Sequence, residues 1–106
     1  MPTFQMRSAN VTDVPIIFDF IVQLAEYERL RHEVIATEAQ VRETLFGETR
    51  YAEVILALED TIPVGFALFF HNYSTFLAKP GLYLEDLFVL PDYRGKGYGK
   101  ALLQNL

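Results

Sequence analysis

Leu82-Tyr83-Leu84-Glu85-Asp86-Leu87-Phe88-Val89-Leu90-Pro91-Asp92-Tyr93-Arg94-Gly95-Lys96-Gly97-Tyr98-Gly99-Lys100-Ala101-Leu102-Leu103 is a strand, a turn and a helix in direct succession. Leu82 to Val89 are mostly β-formers, interrupted by two adjacent carboxylates; Pro91-Asp92 ends the strand, and an apolar helical pattern starts near Gly97. Between strand and helix, Gly95, Gly97 and Gly99 occupy alternate positions. Glycines so spaced let the backbone approach a ligand closely, and the N–H groups at a helix start point at whatever lies in front of it. The turn is therefore an expected anion cradle, to which Arg94 and Lys96 add positive charge.

Upstream of this stretch the hydrophobic period changes once. Residues 3 to 8 alternate as a short strand; Thr12 is the expected N-cap of a first helix that carries Pro15 in its first turn. Ile17, Phe20, Ile21, Leu24 and Tyr27 recur at helical spacing, so this helix has one buried face and is expected to run to about Leu30. Thr37-Glu38-Ala39-Gln40 is a capping box opening a second, short helix through Val41 and Leu45 that closes at Gly47. Tyr51 to Leu58, a Glu59-Asp60-Thr61 turn and Val64 to His71 form a hairpin, with residues 72 to 81 expected to be an aromatic-containing loop. The order is β-α-α-β-β-β-α, with no repeat, no low-complexity segment and no linker dividing domains.

Composition narrows the classes. The 106 residues allow one domain; 51% are hydrophobic and nine are Phe, which excludes disorder, and no apolar run approaches a membrane span. No cysteine is present and Met1-Pro2-Thr3-Phe4 lacks the features of a secretory signal, so a cytoplasmic location is expected. The net charge of −5 is uneven: residues 1–90 carry six Lys/Arg against thirteen Asp/Glu, and residues 91–106 three against one. An acidic body disfavours nucleic acid and membrane surfaces and favours cationic small molecules, while the basic tail suits an anion. His32 and His71 are isolated, and no metal is expected.

The cradle fails both common nucleotide patterns. A dinucleotide fingerprint needs glycine where Lys100 stands; a P-loop needs Ser or Thr at Ala101 and glycine at Arg94. Arg94-Gly95-Lys96-Gly97-Tyr98-Gly99 instead satisfies Arg-x-x-Gly-x-Gly between a strand and a helix, the pattern that wraps the pyrophosphate of coenzyme A in the GNAT superfamily of N-acetyltransferases. Residues 82 to 103 closely resemble the spermidine/spermine (diamine) N-acetyltransferase branch, including its Tyr-Leu-Glu-Asp strand. Ala25-Glu26-Tyr27-Glu28 and Val64-Gly65-Phe66-Ala67 are similar to the same branch.

The resemblance implies an α/β (α+β) GNAT acyl-CoA N-acyltransferase fold, with a mixed, mostly antiparallel sheet flanked by helices. Residues 1–106 would form the N-terminal part of a single domain. It implies an enzyme that moves acetyl from acetyl-CoA, a cosubstrate, to a primary amine by direct attack in a ternary complex, and a homodimer. Donor binding falls on Leu87, Phe88, Val89, Arg94, Gly95, Lys96, Gly97, Tyr98, Gly99 and Lys100: the strand edge for the pantetheine arm, the glycine turn for the pyrophosphate. A strand N–H would also polarise the thioester carbonyl, a role whose loss in other enzymes costs about 3 kcal/mol.

A protonated amine must lose a proton before it attacks, and Glu85 is the candidate base or amine anchor. Carboxylates in an apolar strand are costly unless they face a cleft, a partner or a bulge; Asp86 is expected to be structural, paired near a bulge. Tyr27 and Glu28 match the branch's substrate-binding pair, although alone they would be core packing and a solvated helix end.

Two departures qualify the resemblance. Thr75-Phe76-Leu77 replaces the branch's Asp-Pro-Trp, so the amine could be a polyamine, a diamine or a lysine-like molecule. The family's later strand, helix and hairpin, with the tyrosine proposed to protonate the departing thiolate, have no counterpart in these residues. The 106 residues alone are therefore expected to be inactive, whether through truncation, proteolysis or completion by another chain. The alternative is a non-catalytic CoA-binding or protein-interaction module.

Overall fold

The computed structural model describes residues 2–106. The chain runs β1 (Phe4–Ser8), α1 (Val14–Tyr27), α2 (Glu38–Phe46), β2 (Glu53–Glu59), β3 (Ile62–Ser74), β4 (Lys79–Val89) and α3 (Tyr98–Gln104), with single 3-10 turns before α1, α2 and α3. The strands form one sheet in the order β1-β2-β3-β4, antiparallel throughout. Among the described residues no helix is long and apolar enough to cross a membrane.

Helices cover both faces of the sheet, which is why β2 and β3 are apolar without strict alternation. On one face Val14, Ile17 and Phe20 of α1 and Val41 and Leu45 of α2 pack on Val54, Leu56, Leu58, Phe66 and Phe88. Phe20, Phe66 and Phe88 form an aromatic triangle with centroids 5.7 to 6.5 Å apart. On the other face Leu102 of α3 is wholly buried against Ala57, Val64, Ala67 and Val89. Gly65 allows β3 and β4 to close up at this point, since a Cβ there would lie 2.6 Å from the Phe88 carbonyl.

Local signals set most boundaries. The Thr37–Gln40 capping box forms, with Gln40 N–H donating to Thr37 Oγ1 at 3.2 Å and Thr37 N–H to Gln40 Oε1 at 2.9 Å. The expected Thr12 cap does not: Asn10, in extended backbone, accepts from the Thr12 N–H at 3.0 Å, because Thr12 is already inside the turn. Asp13 completes that box from the Asn10 N–H at 2.8 Å and takes a two-pronged ion pair from Arg7 at 2.8 and 2.9 Å, tying α1 to β1. The guanidinium holds the Asp13 carboxyl below its ordinary range.

α1 stops at Tyr27 instead of Leu30. Arg29 adopts φ 61°, and its N–H bonds the Glu26 carbonyl while Leu30 N–H reaches back to Ala25 at 2.7 Å. This is a Schellman closure without glycine, which no residue pattern announces. The expected loop over residues 72 to 81 is also corrected. Asn72, Tyr73 and Ser74 pair with Gly81, Pro80 and Lys79, so the hairpin continues as a two-stranded ribbon beyond the core.

Candidate active site

The glycine turn and the end of α1 face each other across a cavity of about 420 Å³, lined by Leu24, Tyr27, Leu87 to Val89, Tyr93, Arg94, Gly95 and Gly97 to Gly99. Of the sequence-predicted residues, Tyr27, Leu87 to Val89, Arg94, Gly95 and Gly97 to Gly99 line this cavity, while Glu28, Glu85, Lys96 and Lys100 lie outside its lining. A second concavity, about 500 Å³ and bordered by Arg50, Glu53 and His71, contains none of them.

Gly95 and Gly97 both adopt φ 82°, the left-handed region that favours glycine, and a Cβ at either would meet nothing within 4 Å. Glycine is needed here for backbone shape, and the loop surface is open to a ligand. α3 begins at the next residue, Tyr98.

Two of the three basic side chains, Arg94 and Lys96, are already engaged. Arg94 Nε donates to the Val89 carbonyl at 2.7 Å, and its guanidinium lies 4.7 Å from the Tyr27 ring centroid and 5.4 Å from that of Phe88. Cation–π contacts of this kind are worth about 0.5–2 kcal/mol. Tyr27 is 69% exposed, so it is a lid over Arg94 and not core packing. Lys96 turns away from the cleft to Glu59, at 3.0 Å, and Tyr98 donates its hydroxyl to the same Glu59 oxygen at 2.6 Å. The expectation that the Lys96 charge faces an anion is therefore corrected: a carboxylate claims it first. Lys100 is exposed and lies outside the cavity lining.

The two strand carboxylates occupy a bulge. Leu68 pairs with Asp86 and Phe69 with Leu84, leaving Glu85 as the extra, exposed residue. Asp86 is half-buried, and the pairing partner expected for it is missing: among the described residues it has no hydrogen bond or ion pair. Burial first, then the Glu85 and Glu28 charges, raise its carboxyl above the ordinary range. Glu28, Glu85 and Asp86 therefore make one negative locus, next in the chain to the cavity-lining Tyr27 and Leu87 but outside the lining itself. Glu59 and its Phe4 neighbour escaped sequence reasoning, because 39 positions separate Glu59 from Tyr98 and no motif links them.

The profile of the Acetyltransferase (GNAT) family matches residues 18–106. The chain belongs to the GNAT acetyltransferase family. It is 34% identical over 114 residues to thialysine N-epsilon-acetyltransferase of Mus musculus, covering 100% of this chain and 66% of that protein. It is 33% identical over 144 residues to L-ornithine N5-acetyltransferase NATA1 of Arabidopsis thaliana, covering 93% and 63%. The fold matches that of an integron cassette protein from the mobile metagenome of Cole Harbour Salt Marsh with TM-score 0.80 and 27% identity, over 95% of this chain and 66% of that one. The chain thus spans just under two thirds of these GNAT relatives' length.

Proposed function

We propose that this GNAT chain serves an N-acetyltransferase that moves acetyl from acetyl-CoA to the primary amine of a small cationic molecule. The observation that carries this reading is an open glycine cradle at a cavity whose lining residues Tyr27 and Leu87 are directly followed and preceded in the chain by Glu28 and Asp86, with Glu28 and Glu85 close enough to act on the Asp86 carboxyl. The cradle N–H groups suit a pyrophosphate, and the carboxylates suit an ammonium. Relatives named for acetylating thialysine and ornithine support an amino-acid side-chain amine, consistent with a ribbon that carries Phe76 and Leu77 and no acid–indole pair.

In the proposed reaction the ammonium is drawn to the carboxylate locus and gives its proton to Glu85 or Asp86, directly or through water. The amine nitrogen then attacks the thioester carbonyl carbon; the C–N bond forms, the C–S bond breaks, and the second proton that the nitrogen sheds in becoming an amide is taken up by the CoA thiolate. Burial and the Glu85 and Glu28 charges raise the Asp86 carboxyl, which makes it a better proton acceptor than an ordinary exposed aspartate.

The test pairs donor and acceptor. Thiol release from acetyl-CoA by the whole protein that the proposal assigns this chain to should depend on ornithine, lysine analogues, diamines or polyamines. Gly97→Asp and Gly99→Asp, which put a negative charge in the cradle, should each weaken CoA binding by at least about tenfold, or ~1.4 kcal/mol. CoA binding that survives both substitutions would sink the cradle assignment.

A further inference from the structure

Glu59, the last residue of β2, lies beside the cradle with its side chain 12% exposed. One of its oxygens, Oε2, accepts from Lys96 at 3.0 Å and from the Tyr98 hydroxyl at 2.6 Å. These two residues flank Gly97. The Tyr98 ring is stacked on Phe4 of β1, with centroids 4.3 Å apart and planes 16° from parallel. The loop is therefore tied to β1 and β2 through its side chains, and its backbone N–H groups stay available.

We propose that Glu59 is a positioning residue for the cradle, holding Lys96 and Tyr98 on either side of Gly97 so that the loop has its anion-binding shape before the CoA phosphates arrive. The inference rests on the CoA reading given above. A glycine loop with nothing packed on Gly95 or Gly97 samples many backbone states, and ordering it at the moment of binding lowers affinity. Two anchors on one carboxylate remove much of that freedom beforehand. The same carboxylate balances the Lys96 charge, so anion binding falls to the backbone.

Tyr98 supplies a reporter that does not depend on CoA. Its phenol is pushed up to about 12, first by the hydrogen bond to Glu59, then by burial and by the nearby Glu59, Asp60 and Tyr93 groups. Phenolate absorbance on alkaline titration, CoA calorimetry and thermal unfolding are measured on the wild-type chain, Glu59→Gln, Glu59→Ala and Tyr98→Phe. The most alkaline transition should disappear in Tyr98→Phe and fall toward about 10 in Glu59→Ala. CoA dissociation constants should rise at least about fivefold in Glu59→Ala and Tyr98→Phe, the equivalent of one ordinary hydrogen bond. Glu59→Gln, which keeps an acceptor for the phenol and frees the Lys96 charge, should recover part of that loss.

Tyr98→Phe removes one oxygen and keeps the Phe4 stack, so it tests the anchor even where Glu59→Ala fails to fold. A Tyr98→Phe chain that binds CoA within about twofold of wild type overturns the role of Glu59. A wild-type chain that binds no CoA overturns the cradle reading, and the positioning role with it, while the titration still reports whether the anchor exists.

Discussion

Asp86 is a half-buried carboxylate facing two others with no counter-ion among the described residues, and its raised carboxyl has a consequence for stability. A carboxyl that holds its proton more tightly in the folded chain opposes folding when it ionises. The penalty is absent below the unfolded value of about 4, grows as pH rises through the interval up to the folded value, and is complete above it. Asp86→Asn should therefore raise the urea midpoint at neutral pH, and the gain should vanish near about pH 4. The same substitution should weaken amine binding, since an ammonium would relieve the repulsion that destabilises the free chain. A stability gain at pH 4 equal to that at pH 7 would mean that packing, not charge, was responsible. The adjacency of Glu85 and Asp86 in an apolar strand was enough to mark this locus from sequence. Which of them is buried was not legible, because that depends on strand pairing with Leu68 and Phe69. Glu59 was illegible for a different reason: its partners come from a distant loop, and as a residue beside a turn it had no distinguishing pattern.

At the level of elements, the bulge in β4 separates what the sheet needs from what the site needs. Pairing is regular on both sides of it, with Leu68 opposite Asp86 and Phe69 opposite Leu84, so removing Glu85 would join two correctly facing segments. Deleting Glu85 should leave the thermal midpoint within a few degrees of wild type, corresponding to about 1 kcal/mol, yet, in the whole protein that the proposal assigns this chain to, lower amine acetylation at least about tenfold. A large loss of stability would instead make the bulge a structural necessity. The capping box of α2, the helical face of α1 and the β2–β3 hairpin were legible because each rests on contacts local in sequence. The end of α1 was not, since Arg29 closes it in a left-handed conformation more typical of glycine. The ribbon was not either: Asn72 to Gly81 has loop-like composition, and its strand character comes from pairing that continues outward from the buried part of the hairpin.

Over the whole molecule, charge and shape give different answers about how an anion is held. The chain carries −5, and its only basic excess, in residues 91–106, sits around the cradle. Yet Lys96 is bound to Glu59, and the Arg94 guanidinium is directed at the Val89 carbonyl between two aromatic rings. The long-range field is therefore that of an acidic protein, and attraction for a phosphate must come from N–H groups at contact distance. Salt screens the first kind of interaction strongly, since the Debye length falls from about 10 Å at 0.1 M to about 3 Å at 1 M, and affects contact hydrogen bonds much less. CoA affinity measured by calorimetry between about 0.05 and about 0.5 M sodium chloride should accordingly change less than about fivefold. A loss of tenfold or more over that range, about 1.4 kcal/mol, would shift the holding of the phosphates from the backbone to the Arg94, Lys96 and Lys100 side chains.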